Sequence, residues 1–383
     1  MDNRASMALT LHPVSRWRRL GRALLLAGAL ALLAGCSTVG YYAQAIGGQL
    51  ALMQAARPID DWLRDPATPA PLKARLELAQ RLRSYAVTEL DLPDNASYRR
   101  YADIHGAAAV WNVAAAPVDS LTLKRWCFVV LGCVGYRGYF DEAAAQALGR
   151  QLRTQDALEV TVYGVPMYST LGWLNWLGGD PLLSTVIHYP DAALARIVFH
   201  ELAHQKFYLA GDTAFNESYA TAVAALGAAR WLARHGDAAA RRADALAQQR
   251  QHDFRQLTHA TRAELSAIYD KNKAPARTQQ AQLAMKSEAM QRFRTRYQAL
   301  KARWAAAGTP FDGYDRWVAQ ANNAAFALQA AYDGWVPAFE ALFAQGGDDW
   351  PRFYAAVREL GALPPDERHA RLRALAPAAA PPS

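Results

Sequence analysis

Apolar positions along this chain recur mainly at three- and four-residue spacing, and only briefly at two. Pro71 to Leu92 carries Leu72, Leu76, Leu78, Leu82 and Tyr85 at helical spacing and is closed by Pro93, which cannot continue a helix. Residues 101–140 are apolar, aromatic and broken by glycine, and read as short strands and loops. Asp141 is placed to cap a helix running to about Thr154. Leu158 to Val162 alternates apolar with polar, the pattern of a half-exposed strand. Gly172, Gly178, Gly179 and Pro181 make Tyr168 to Thr185 a loop region. Two helices follow, from Asp191 to about Leu209 and from about Asp212 to His235, joined by a short turn at Gly211.

A long helical pair then spans Ala238 to Trp304. Phe254, Leu257, Thr261, Leu265 and Ile268 keep a three-four spacing on one arm, and Met290, Phe293, Tyr297, Leu300 and Trp304 keep it on the other. That period lets two helices pack along one seam, with the polar stretch Asp270 to Arg277 as the reversal. Further helical pattern fills 314–372. The fold class expected is α+β, predominantly helical, with a small sheet before the helix of 191–209 and a long helical hairpin after it. The expected divisions are 1–35 (leader), 36–70 (linker), 71–236 (the region carrying the candidate chemistry), 237–305 (hairpin), 306–375 (carboxyl-terminal helices) and 376–383 (tail).

The formal charge of +8 changes this picture little. Residues 1–35 carry five arginines against one aspartate, about half of the excess. The remainder has no basic run interleaved with aromatics, so nucleic acid is not an expected partner. Arg16 to Arg22 is basic, Ala23 to Ala34 is an uncharged apolar run, and Leu33-Ala34-Gly35-Cys36 closes it. The run is shorter than the ~20 residues that span a bilayer and has the length of a secretory signal core. This ending resembles the lipobox of bacterial lipoproteins, which implies cleavage before Cys36 and lipidation of its sulfur. Ser37 in the next position implies the periplasmic face of the outer membrane. Disulfides persist outside the cytoplasm, and Gly132 permits a tight turn between Cys127 and Cys133, so those two are expected to pair.

The chemistry concentrates in Val198-Phe199-His200-Glu201-Leu202-Ala203-His204-Gln205. On a helix, positions four apart lie one above the other, so His200 and His204 present two imidazoles to one point. A zinc ion asks for that, plus a third protein ligand and one open position. Glu201 lies about 100° around the helix, where its carboxylate can flank one zinc ion as general base. Phe207 and Ala210 stand where a metzincin would carry glycine and histidine. The third ligand is then Glu217, early in the next helix, or, as the alternative, Asp212. His188, His235, His252 and His259 lack a partner at ligand spacing and read as packed or solvated.

Asn216-Glu217 followed by Tyr219-Ala220 resembles the Asn-Glu-x-Phe-Ala segment of zinc aminopeptidases and other gluzincins, and the resemblance implies Glu217 as the ligand in a zincin-like fold. Trp126-Cys127, Tyr136-Arg137-Gly138-Tyr139-Phe140 and Tyr168-Ser169-Thr170-Leu171-Gly172, taken with the metal motif, resemble a family of bacterial lipoproteins described only as predicted aminopeptidases. The resemblance implies peptide substrates and a membrane held through lipid. Gluzincin aminopeptidases hold the substrate ammonium with a Gly-x-Met-Glu-Asn segment. Here Gly164-Val165-Pro166-Met167-Tyr168 lacks the glutamate, and Asp180 is the nearest substitute. For the oxyanion donor the candidates are Tyr314 and Tyr332, of which Tyr332 is preferred. The leading expectation is a zinc aminopeptidase; the alternatives are a zinc endopeptidase acting on envelope proteins and a non-catalytic helical scaffold. The sequence does not determine the oligomeric state.

Overall fold

The computed structural model describes residues 40–128, 132–270 and 278–376. The leader with Cys36, most of the 270–277 reversal and the tail beyond Ala376 lie outside the described residues. The first described element is helix α1 (40–55), and the chain divides into an amino-terminal unit ending at Leu50 and a unit from Ala51 onward. Among the described residues no helix is long and apolar enough to cross a membrane.

The larger unit is mostly helical, with three small sheets among its described residues. After its helical residues 51–55 come β1 (Arg57–Pro58), α2 (Ile59–Arg64) and α3 (Ala70–Leu90). Pro71 in the first turn of α3 gives up an N–H that a helix start leaves unpaired anyway. Asp91 ends the helix in a left-handed conformation, its N–H returning to the Ala86 carbonyl. Next come β2 (Arg100–Ala102), β3 (Val110–Ala116), β4 (Trp126–Phe128), β5 (Gly132–Val134) and β6 (Arg137–Tyr139). They are followed by α4 (Glu142–Thr154), capped as expected by the Asp141 carboxylate accepting from Ala144 N at 2.7 Å, and by β7 (Glu159–Val165).

β3 is the middle strand of an antiparallel β6-β3-β7 sheet, and β2 joins β1 antiparallel and β8 (Leu182–Leu183) parallel. Among the described residues β4 and β5 pair with each other alone. Period-two alternation gives the β3 sheet two faces. Val113, Ala115 and Val160 pack under Ala145 and Leu152 of α4, while Glu159, Thr161 and Tyr163 point the other way. The region expected to be loop, 168–185, also holds a 3₁₀ turn (Asn175–Leu177), β8 and a short helix α5 (Ser184–Ile187).

The central pair is α6 (Asp191–Lys206) and α7 (Thr213–His235), which pack against each other along the main core. Leu194, Val198, Phe199 and Leu202 of α6 and Phe215, Tyr219 and Val223 of α7 are fully or almost fully buried. Small residues allow the helices to approach: a Cβ on Gly227 of α7 would sit 3.0 Å from the Phe199 ring. α6 ends at Lys206, three residues before the expected boundary, because Phe207 is extended and the Asn216 side chain takes both the N–H and the carbonyl of Leu209.

α8 (Ala238–Tyr269) and α9 (Gln279–Ala306) share a second core of Phe254, Leu265, Ile268, Met290, Phe293, Tyr297, Leu300 and Trp304, the residues whose spacing marked the seam. Trp304 Nε1 donates to Asp253, and Arg292 pairs with Glu264, so the two helices run antiparallel. Five short helices complete the unit: α10 (Asp315–Gln320), α11 (Asn323–Asp333), α12 (Val336–Gln345), α13 (Trp350–Ala362) and α14 (Pro365–Leu375). Of these, α11 decides part of the site. The Asn322 side chain at its start accepts from Thr161 Oγ1 and donates to the Val160 carbonyl, and Asn323 N donates to Glu159, fixing the helix to β7.

Candidate metal centre

His200 and His204 stand one turn apart on α6, and both rings turn toward α7, with their Nε2 atoms 3.1 Å from each other. Glu217, in the second turn of α7, places Oε2 3.3 Å from His200 Nε2 and 3.7 Å from His204 Nε2. Among the described residues this is the one group of three or more His, Cys, Asp or Glu whose ligand atoms converge, all within 4.8 Å.

The triangle fits a metal ion. Three donors about 2.0–2.1 Å from one tetrahedral centre lie roughly 3.4 Å apart, and the observed edges are 3.1, 3.3 and 3.7 Å. Two imidazoles and one carboxylate also form a donor set suited to a first-row transition metal. Burial pushes Glu217 upward, but its bonds to His200 and His204 overcome that and hold it at about 2. Glu217 is therefore an anion aimed at the two rings.

The turn that sets the third donor is held at several points. Gly211 adopts φ +86°, a left-handed conformation that glycine reaches at little cost. Asn216 clamps Leu209 from the far side, at 2.8 and 2.7 Å. Asp212 lies outside the donor group. Its Oδ1 caps α7 by accepting from Phe215 N, while Oδ2 accepts from Arg368 at 2.9 and 3.1 Å and faces His369 at 3.2 Å. Between the two residues weighed as third ligand, the geometry brings only Glu217 to the histidines.

Glu201 lies within electrostatic reach of His200, Glu217 and Asp180. Burial pushes its carboxyl up to about 8; a cation held by the neighbouring donors would draw it back down.

Four tyrosines close around this group, and only Tyr332 was read as a candidate. Tyr332, near the end of α11, lies in reach of both Glu217 and Glu201 and shares a hydrogen bond with Tyr163 of β7. Asn112 of β3 donates to the Tyr163 hydroxyl at 3.2 Å. Tyr136, between β5 and β6, is in reach of Glu217, Tyr163, Tyr208 and Glu201. Tyr208 sets its ring edge-on to His204. The quoted segment at Tyr136 and the inward alternation of β7 at Tyr163 were the available signals, and neither says which face meets the metal group. Tyr314 takes no part: it stacks on Phe254 at 4.0 Å in the hairpin core, because the helical seam of α8 and α9 buries it there.

Asp180 is 2% exposed. Its carboxylate accepts from Thr170 N at 2.8 Å, Thr170 Oγ1 at 2.7 Å and Gln205 Nε2 at 3.3 Å, and its own N–H donates to Ser97 Oγ. Those bonds would have to open for Asp180 to meet a substrate ammonium. Gln205, one turn past Glu201, also reaches Ser97 and Ser169 and accepts from Asn95, which ties the loop to α6. The loop is seated by backbone contact: a Cβ on Gly179, at φ +68°, would lie 2.4 Å from Ser97 N. Gly179→Ala is predicted to destabilise the protein by about 1–3 kcal/mol; an unchanged thermal midpoint would contradict the contact.

The other expected residues fall as follows. Cys127 and Cys133 are joined as a disulfide across paired positions of β4 and β5. His235 packs against Tyr85 and Trp231.

The family model described as "Putative aminopeptidase" matches residues 40–372, and the chain belongs to that family. With the converging His200, His204 and Glu217, the match supports a metal-dependent peptidase in general terms. No curated protein and no solved structure matches the chain.

Proposed function

We propose that this member of the aminopeptidase family is a zincin-like, gluzincin-type peptidase that binds one zinc ion and releases amino-terminal residues from peptides. The observation that carries the reading is the convergence of His200, His204 and Glu217 on one point, with Glu201 beside it on the same helix. The catalytic region in this reading is 71–236, with 237–305 and 306–375 as helical cover and 36–70 as linker.

When bound there, zinc polarises the scissile carbonyl and lowers the pKa of a water to about 7. Glu201 takes the proton of the attacking water on a carboxylate oxygen and returns it to the nitrogen of the leaving amine. Burial suits Glu201 to both halves of that task, because it weakens the preference for the charged form. The Tyr332 hydroxyl, oriented by Tyr163, donates to the oxygen on which charge develops.

An aminopeptidase must also neutralise the substrate's ammonium. Asp180 is our candidate, released from its loop bonds when peptide binds. The same bonds favour a second reading, a zinc endopeptidase, in which Asp180 simply holds the loop. Free and amino-acetylated peptides separate the two. The aminopeptidase reading expects cleavage of free peptides alone, and Asp180→Asn raising the Michaelis constant for them. Internal cleavage of acetylated peptides at an equal rate would transfer the assignment to the endopeptidase. A chain that binds no zinc and cleaves neither would leave only the scaffold.

The setting in this reading is the bacterial envelope, with lipid on Cys36 and the domain at the periplasmic face of the outer membrane. Cys36→Ser is predicted to leave the membrane fraction or to retain an uncut leader. Processed, fully membrane-bound Cys36→Ser would exclude lipidation.

A further inference from the structure

We infer that the disulfide-closed β4–β5 hairpin is a brace on the α6–α7 turn that sets how tightly the site holds its metal, which makes that affinity dependent on the Cys127–Cys133 bond. The inference rests on the zinc reading above.

A two-stranded ribbon has little stability of its own. Among the described residues β4 and β5 pair with no third strand, and the disulfide joins directly opposed residues, Cys127 and Cys133. This closed ribbon is pressed onto the turn by two contacts. Gly132, at φ +70°, brings its backbone so near the turn that a Cβ there would lie 2.8 Å from Gly211 N and 3.2 Å from Gly211 Cα. Arg125 Nη2, just before β4, donates both to the Cys133 carbonyl at 2.8 Å and to the Gly211 carbonyl at 2.7 Å. One guanidinium thus bonds the ribbon and the turn together.

Gly211 lies between the histidines of α6 and Glu217 of α7. A metal site tolerates donor displacements of only about 0.2 Å, so a turn free to shift weakens the grip of Glu217 without touching it. The far side of the turn is held by Asn216 and by Arg368 on Asp212. The ribbon therefore supplies the near side. The same ribbon leads, three residues past Cys133, to Tyr136, within electrostatic reach of Glu217 and Glu201. Arg125 and the two cysteines are positioning residues; none is placed to touch metal or substrate.

The test is zinc affinity of the full chain, measured by competition with a chromophoric chelator in both redox states. The disulfide is opened with a phosphine, which becomes phosphine oxide as water supplies the oxygen and both thiol protons. The thiols are then alkylated, so that they cannot bind zinc. The expected result is zinc held on the order of 10–100-fold more weakly after reduction. Arg125→Met, with the disulfide intact, should give a loss of similar size, which reduction then enlarges little; Arg125→Lys should recover part of it. Equal affinity in both redox states would overturn the inference, and so would a lower thermal midpoint of the metal-free chain with affinity unchanged, the mark of a merely structural ribbon. Failure of the wild-type chain to bind zinc at all would instead overturn the functional reading.

Discussion

Glu201→Gln is expected to keep zinc at wild-type affinity and to lose on the order of 100- to 10,000-fold in kcat, the usual worth of general acid–base help. Glutamine preserves the shape of the side chain and removes the only function this reading assigns to it, accepting and returning a proton. The three donors His200, His204 and Glu217 remain in place, so metal content and catalysis should part company. Two measurements are needed together, metal stoichiometry and turnover on a free-amine peptide. If Glu201→Gln lost its zinc along with its activity, Glu201 would be holding the metal and the role given to Glu217 would need revision. If turnover survived, the base would lie elsewhere.

The second large effect is expected at the third donor. Glu217→Ala should weaken zinc binding by at least 100-fold, since the site would fall from three protein ligands to two, and His204→Ala should do the same. Both variants should then unfold at the same temperature with and without added zinc, whereas the wild-type chain should gain stability as its site fills. Asp212→Ala provides the contrast. Its carboxylate caps α7 and accepts from Arg368, so its loss should lower the thermal midpoint of the metal-free chain and largely spare zinc affinity. Should Asp212→Ala strip the metal while Glu217→Ala does not, the gluzincin assignment fails even though the motif helix stays.

These two residues show where local pattern stops and the folded chain takes over. Glu217 and Asp212 both follow His204 within thirteen positions, and spacing alone does not separate a ligand from a cap; only the resemblance of the Asn216-Glu217 segment favoured Glu217. The separation comes from Arg368 and His369, 156 and 157 residues away, which engage Asp212. Asp180 was read as the nearest substitute for the missing ammonium-binding glutamate. Its neighbours Thr170 and Gln205 reach it from a loop and from a helix, and that meeting is a property of the packed molecule. Tyr163 illustrates the same limit. Alternation along β7 assigns it a face, but its meeting with Tyr332 depends on α11, which Asn322 and Asn323 fix against the strand.

What the sequence by itself determined was everything governed by neighbours within about a turn or two. It carried the His200/His204 spacing and the position of Glu201 around the helix. It also carried the cap at Asp141, the stop before Pro93 and the seam of the long hairpin. Helical and strand periods and capping bonds are local, and their energetics depend on residues close in the chain. Only the tertiary structure decided the ring of Tyr136, Tyr163, Tyr208 and Tyr332, the engagement of Asp180, and the bond by which Arg125 ties a ribbon to the Gly211 turn. Each of these joins segments far apart in the chain. Bringing such segments together costs closure entropy that no single contact recovers, so their meeting is set by the whole core around α6 and α7.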